Sequence, residues 1–300
     1  MQDEIIERLP YSSVKEMDLS IFTWLKSEYI EVDEGVSIKV YMLPSKDQAA
    51  KINVVVIPGL CSHFYGWIDL DHELSKIFNV YHLESREKIS AIHKKRKVDY
   101  SMITLANDLH EVVKKFGFQK NGFYLFGDSF GAEIASQYME LGNPPPKGLI
   151  LISPERSFRF SLWMKILFTI APSFLYYPLL PFLKFILKNF RTDMKNDSGT
   201  YYLNKRNLET GKPRRMKKCA MSLFSYKSKI DYTKLNLPTY IIAASTDKMH
   251  SYQHSVEIAE ELPDVVFEDI VYYHLTHSRK AAKKVINFIL KTEKEKNEKL

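Results

Sequence analysis

Residues Phe123 to Ala132 read F-Y-L-F-G-D-S-F-G-A. Four apolar residues run into Gly127-Asp128-Ser129-Phe130-Gly131, and a helix-like run follows at once. The pattern is a buried strand, a sharp turn and a helix, with a serine at the tip of the turn. Without Cβ atoms at Gly127 and Gly131 the backbone can fold tightly and pack closely on both sides. Such a turn exposes the serine Oγ above a sheet, and the Phe130 N–H can face a developing oxyanion. The bland alternative is an ordinary strand-to-helix turn with an incidental serine.

The rest of the chain predicts the sheet this turn needs. Tyr29 to Leu43 alternates around Asp33-Glu34-Gly35 and reads as a β-hairpin. Ile52 to Ile57 is a continuous apolar run, as in a strand buried on both faces. Further strands are expected over Phe78–Leu83, Gly148–Ile152, Thr239–Ala244 and Val265–Tyr273. Helices are expected over Ser101–Phe116, Ser251–Leu262 and Ser278–Leu290, with Ser101 and Ser278 as caps, Gly117 as a stop and a frayed charged tail beyond Leu290. This alternation implies an α/β chain: a mostly parallel sheet with helices on both faces.

Pro154 to Leu235 breaks the rhythm. It holds 17 Lys and Arg against 5 Asp and Glu, whereas the remainder has 26 against 31. The chain therefore divides into a core of residues 1–153 and 236–300 and a basic, apolar insertion of residues 154–235. Ile166 to Leu183 is long and apolar enough for a membrane span. Pro172, Pro178 and Pro181 argue instead for two or three short helices. The basic, greasy character suits peripheral contact with a membrane surface, an anionic head group or a CoA-type leaving group; a packed core is the alternative. No nucleic-acid motif is present. The opening MQDEIIERLP is acidic without an apolar h-region, and Cys61 and Cys219 cannot frame disulfides, so a cytoplasmic location is expected.

A serine hydroxyl needs a base, and the base needs an orienting acid. Ligand sites in such sheets lie at the C-terminal strand ends. Asp247, in the loop after TYIIAA, suits the acid; Glu155, after GLILISP, is its rival. Two histidines follow the last strand, His274 and His277. Loop placement beside a Ser278 cap favours His277, with His274 as the alternative base. His250 and His254 are expected at the surface. The turn Pro58-Gly59-Leu60-Cys61 offers the Leu60 N–H as a second oxyanion donor beside Phe130. Cys61 lacks an evident base of its own and reads as a neighbour of the site.

With Ser129, Asp247 and the late histidine in that order, the chain resembles the α/β-hydrolase superfamily over essentially its whole length. The resemblance implies the α/β-hydrolase fold: an eight-stranded sheet, a helical lid formed by residues 154–235, a covalent acyl-serine intermediate and no cofactor. Two departures stand out. Pro58 replaces the usual histidine of H-G, and Leu83-Glu84-Ser85-Arg86-Glu87-Lys88-Ile89-Ser90 replaces D-x-R-G-x-G-x-S. The expectation is a serine esterase, lipase or thioesterase acting on a lipid-like ester with an apolar acyl chain. Gly59, Trp163 and Phe168 are expected to line its substrate site. Acyl transfer by the same triad, or a non-catalytic ligand-binding or membrane-associated protein of this fold, are the alternatives.

Overall fold

The computed structural model of the chain describes residues 24–45, 52–158 and 160–298. The acidic N-terminal stretch lies outside them. Strand β3 (Asn53–Ile57) is buried at every residue, as are β6 (Tyr124–Asp128), β7 (Gly148–Ile152) and β8 (Thr239–Ala243). Runs of this kind carry no polar face, so they settle in the centre of a parallel sheet covered on both sides. The hairpin β1 (Lys26–Asp33) and β2 (Val36–Leu43) lies at one edge, and β9 (Val265–Asp269) at the other. The order is β1-β2-β4-β3-β6-β7-β8-β9, where β4 is Asn79–Glu84; the two-residue β5 (Ile92–His93) adds a ninth strand beside β2. β1, β2 and β4 pair antiparallel, and the other main-path strands are parallel.

Helices close both faces. Helix α1 (Ile68–Ser75) and the C-terminal helix cover one side, around Trp67, Tyr124 and Phe126. On the other side lie α2 (Met102–Lys115) and α3 (Phe130–Glu140), around Leu109, Leu125 and Ile134. The expected caps are present: Ser101 accepts the Thr104 N–H, and Gly117 stops α2 at a left-handed φ of 65°.

Between β7 and β8 the chain is helical. It forms α4 (Leu162–Ile170), α5 (Tyr176–Ile186), α6 (Ser198–Thr210) and α7 (Pro213–Ser222). Over the apolar run the prolines divide the chain into two of these, α4 and α5, with the single turn Ser173–Leu175 between them. The break falls at Ala171-Pro172, where α4 stops. Pro178 lies in the first turn of α5, where its missing N–H costs little, while Pro181 sits inside α5 without ending it. Helix α8 (Tyr252–Glu261) and β9 complete the core.

Two further corrections concern the C-terminus. The last strand stops at Asp269, so Tyr273 and His274 belong to a single helical turn, Tyr273–His277. Asp269 ends the strand by accepting the Ser245 and Val271 N–H groups. Helix α9 (Arg279–Asn297) runs through the tail expected to fray. Ion pairs Lys147–Glu293, Lys291–Glu295 and Lys294–Glu298 line it, the last two at the i,i+4 spacing that supports a helix.

Two glycines set how closely β6 and α3 approach their neighbours. A Cβ on Gly131 would stand 1.9 Å from the Ile57 carbonyl oxygen, and one on Gly127 would stand 2.6 Å from Ala132 Cα. Both obstacles are backbone, so neither yields. Gly131→Ala is expected to lower stability by about 3 kcal/mol through overpacking, a loss that urea denaturation would read directly.

Candidate active site

Ser129 follows β6 and precedes α3. Its φ of 50° and ψ of −109° hold it in a conformation that side-chain-bearing residues avoid. The pairing of β6 with β7 anchors it: the Ser129 N–H donates to the Ile152 carbonyl at 2.8 Å. Cys61 (φ 58°), Ser153 (φ 43°) and Val271 (φ 68°) are the other non-glycine residues at positive φ among the described residues. All four follow the C-terminal ends of strands, β3, β6, β7 and β9, so the strained backbone gathers at one edge of the sheet.

The turn after β3 is clamped by the charged segment that departs from the glycine-rich pattern. Buried Lys88 donates through Nζ to the Gly59 carbonyl and pairs with Glu87. Glu84 accepts the Phe64 N–H at 3.0 Å. Burial works against the Glu84 charge, but His63, Ser90 and that N–H outweigh it and bring its pKa down to about 2. Arg86 is held by Asp108 of α2 through Nε at 2.6 Å and through Nη2. The charges that stand in place of the family's glycines over Leu83–Ser90 thus fix the turn after β3. The Leu60 and Phe130 N–H groups donate to no carbonyl or side chain among the described residues, and Phe130 opens α3, whose first-turn N–H groups carry partial positive charge. Burial pushes the Cys61 thiol up to about 12, so it stays neutral at physiological pH.

The histidines and carboxylates pair differently from the expected triad. Asp247 does not meet His277 or His274. Its Oδ1 accepts the Met249 N–H at 2.7 Å and the His250 N–H at 3.4 Å, and its Oδ2 accepts His250 Nδ1–H at 2.6 Å. A histidine three residues downstream is simply nearer than one on another loop. Its rival Glu155 is taken as well, by the Ser251 N–H and by His254 Nδ1–H at 2.6 Å. Neither His250 nor His254 is the surface residue expected: their side chains are 17% and 11% exposed.

His277 is buried under the site. Its ring packs edge-on to Trp67 with centroids 4.2 Å apart. Nδ1 meets the Thr276 hydroxyl at 2.9 Å, and Nε2 lies 3.6 Å from Asp128 Oδ2. The Tyr273 hydroxyl also donates to Asp128, at 2.9 Å. His274, 25% exposed, donates from Nδ1 to Asp197, the buried residue that caps α6. The His274 N–H donates to Thr200 Oγ1 at 3.0 Å, and Gly199 lies flat against its ring. Among the described residues no hydrogen bond joins Ser129 Oγ to a histidine.

Gly59 packs on Asp128, where a Cβ would come 2.8 Å from Oδ2. Phe168 turns inward onto Phe224 of the helical segment, with centroids 6.1 Å apart. Trp163 lies on α4, and its side chain is outside the described residues. Beside the Ser129 turn, Phe130 packs on Phe158 and Phe158 on Tyr226. The motif Asp197-Ser198-Gly199-Thr200 could have been read as a helix start, but nothing in it pointed to His274. Among the described residues no group of three or more His, Cys, Asp or Glu side chains is placed to hold a metal ion.

The family model for the alpha/beta hydrolase fold matches residues 52–280. No curated protein matches the chain by sequence. Many solved structures share the fold. A thermophilic esterase from Thermogutta terrifontis superposes with a TM-score of 0.68 at 15% identity, covering 89% of this chain and 99% of its own. A bromoperoxidase from Bacillus anthracis gives 0.67 at 18% identity, covering 88% and 99%. A bacterial membrane phospholipase A gives 0.67 at 16% identity, covering 91% and 90%.

The His250–Asp247 pair has a measurable consequence. Burial opposes protonation of His250, but the Asp247 carboxylate outweighs it and raises the ring's pKa from 6.5 to about 9. Stability from a raised pKa is complete below 6.5 and is lost as pH rises through 9. Urea midpoints should therefore fall between pH 6.5 and pH 9, by up to about 3 kcal/mol in stability. His250→Gln should flatten that slope, and NMR titration of the ring in Asp247→Asn should show the pKa brought down.

Proposed function

The chain belongs to the alpha/beta hydrolase fold family, and on that premise we propose that it is a serine hydrolase of carboxylic esters with apolar acyl chains. The observation that carries this is Ser129, held at positive φ between a buried strand and a helix N-terminus. Among the described residues the backbone N–H groups of Leu60 and Phe130 have no acceptor. Residues 154–235 act as a lid over a core of residues 1–153 and 236–300. The esterase and phospholipase among the similar structures agree in reaction class.

In this reading Ser129 Oγ attacks the ester carbonyl and the Leu60 and Phe130 N–H groups receive the oxyanion. The base is His274 rather than His277. His277 is buried against Trp67, with Nδ1 engaged by Thr276. His250 is bound to Asp247 and is mostly protonated near neutrality, which removes its capacity to accept a proton. His274 has Nδ1 on a carboxylate and, among the described residues, no hydrogen-bond partner at Nε2. Asp197 of the lid then orients the base and stabilises its charged form. Ser129 and His274 come within hydrogen-bond reach in the substrate complex, as catalytic contacts often tighten only there. The proton passes from Ser129 to His274 and on to the leaving alcohol or thiol. Water then attacks the acyl-serine by the same route in reverse.

Fluorophosphonate labelling and a panel of p-nitrophenyl esters test this. Ser129→Ala should abolish labelling and lower kcat by about 10⁴-fold or more. Asp197→Asn should lower kcat by about 10²-fold to 10⁴-fold, while Asp247→Asn should leave it within about threefold. The opposite ranking of the two variants would return the acid role to Asp247. A folded wild-type protein that neither labels nor turns over any ester would favour a non-catalytic, ligand-binding member of the fold.

A further inference from the structure

Helices α4 and α5 leave their apolar faces uncovered. Among the described residues neither has a buried side chain, so they are not core helices of the ordinary kind. Leu162, Ile166 and Ile170 recur every four residues along α4, and Leu162 and Ile170 are each 74% exposed. Phe174, Phe182 and Phe185 continue the stripe past the break, all more than half exposed. Half of the large exposed hydrophobic residues among the described residues fall between positions 162 and 190. Soluble monomers rarely gather so many on one surface.

The stretch of chain that carries this face is basic, although Lys184 is paired with Glu209 of α6 and Arg156 with Glu261 of α8. From residue 156 to residue 192 there is no Asp or Glu, and there are six Lys or Arg. Lys188 and Arg191 are exposed at the end of α5. Lys217 of α7 donates to the Thr169 and Ala171 carbonyls, which places a further cation at the bend between the two helices. The helices meet at 118°, and no single helix among the described residues is long and apolar enough to cross a membrane.

We propose that the outer face of α4 and α5 docks in the plane of an anionic lipid bilayer, with its phenylalanines and leucines among the acyl chains and its lysines and arginines at the head groups. Charge decides against a second copy of the chain. A two-fold dimer sets a patch against itself, which here would bring together two basic edges, each carrying the exposed Lys188 and Arg191. An anionic bilayer satisfies both features, since interfacial helices bind through apolar burial together with attraction to anionic lipid. The V shape of the pair suits a flat surface rather than a span. This inference concerns a different surface from Ser129 and does not depend on the chemistry proposed there.

Vesicle flotation of the full chain tests it, using phosphatidylcholine alone and phosphatidylcholine with 30% phosphatidylglycerol, taken as about a third anionic lipid. Wild type and Ser129→Ala should float equally with the anionic vesicles and at least about tenfold less with the neutral ones. Raised salt and the pair Lys188→Glu with Arg191→Glu should weaken the binding. The exposed pair Phe182→Ser with Phe185→Ser should abolish it while the circular dichroism spectrum stays unchanged. Three results would each overturn the proposal: no flotation with anionic vesicles, binding indifferent to these substitutions, or a dimer in sedimentation equilibrium that Phe182→Ser with Phe185→Ser dissolves.

Discussion

The contact between Gly131 and the Ile57 carbonyl governs the molecule. It presses the start of α3 onto the end of β3 with no room for a methyl group. A helix that begins so close to the sheet cannot leave β6 by a relaxed turn, and the single residue between them absorbs the whole change of direction. That residue is Ser129. The same closeness brings the turn of Pro58 and Gly59 beside it, since β3 and β6 are paired neighbours. Ser129, the start of α3 and the turn at Gly59 are therefore brought together by backbone packing, before any side-chain hydrogen bond is considered.

Proton-carrying groups around that point are arranged by a second rule. Nearly every histidine near the sheet's C-terminal edge has found a carboxylate: His250 with Asp247, His254 with Glu155, His274 with Asp197 and His277 beside Asp128. Unpaired charges are costly in such buried surroundings, so partners are taken locally where the chain supplies them. Asp247 is occupied by its own loop, which leaves the later histidines to Asp128 below and Asp197 above. The helical segment is in this way tied, through Asp197, to the turn that follows β9.

Much of this was legible in the sequence because it rests on local signals. Continuous apolar runs such as Asn53–Ile57 reveal a doubly covered strand, and Ser101, Gly117, Ser251 and Ser278 mark helix ends through bonds to their own neighbours. The elbow was legible for the same reason, since its glycines are demanded by backbone geometry. The choice of hydrogen-bond partner was not. Asp247, His274 and His277 stand in the expected order along the chain, yet which pairs form depends on distances of an ångström or two between loops. The Glu84–Lys88 segment also escaped: lost glycines read as a departure, while the new charges make the clamp that replaces them. At the tail, composition suggested fraying, but Glu293 reaches Lys147 and Tyr124 of the core and keeps the helix in register.

The four non-glycine residues at positive φ are costs of about 1–3 kcal/mol each that the rest of the fold must carry. They cluster where loops leave the sheet, and each could be relaxed by a single change to glycine. For Ser129 that relaxation would delete the only hydroxyl at the elbow. With the nucleophile's role proposed above for Ser129, selection for robustness and selection for chemistry pull on that position in opposite directions. On that reading, a lineage of this chain that abandoned the proposed chemistry would be free to drift toward glycine at the elbow, gaining stability and recording the loss in its backbone.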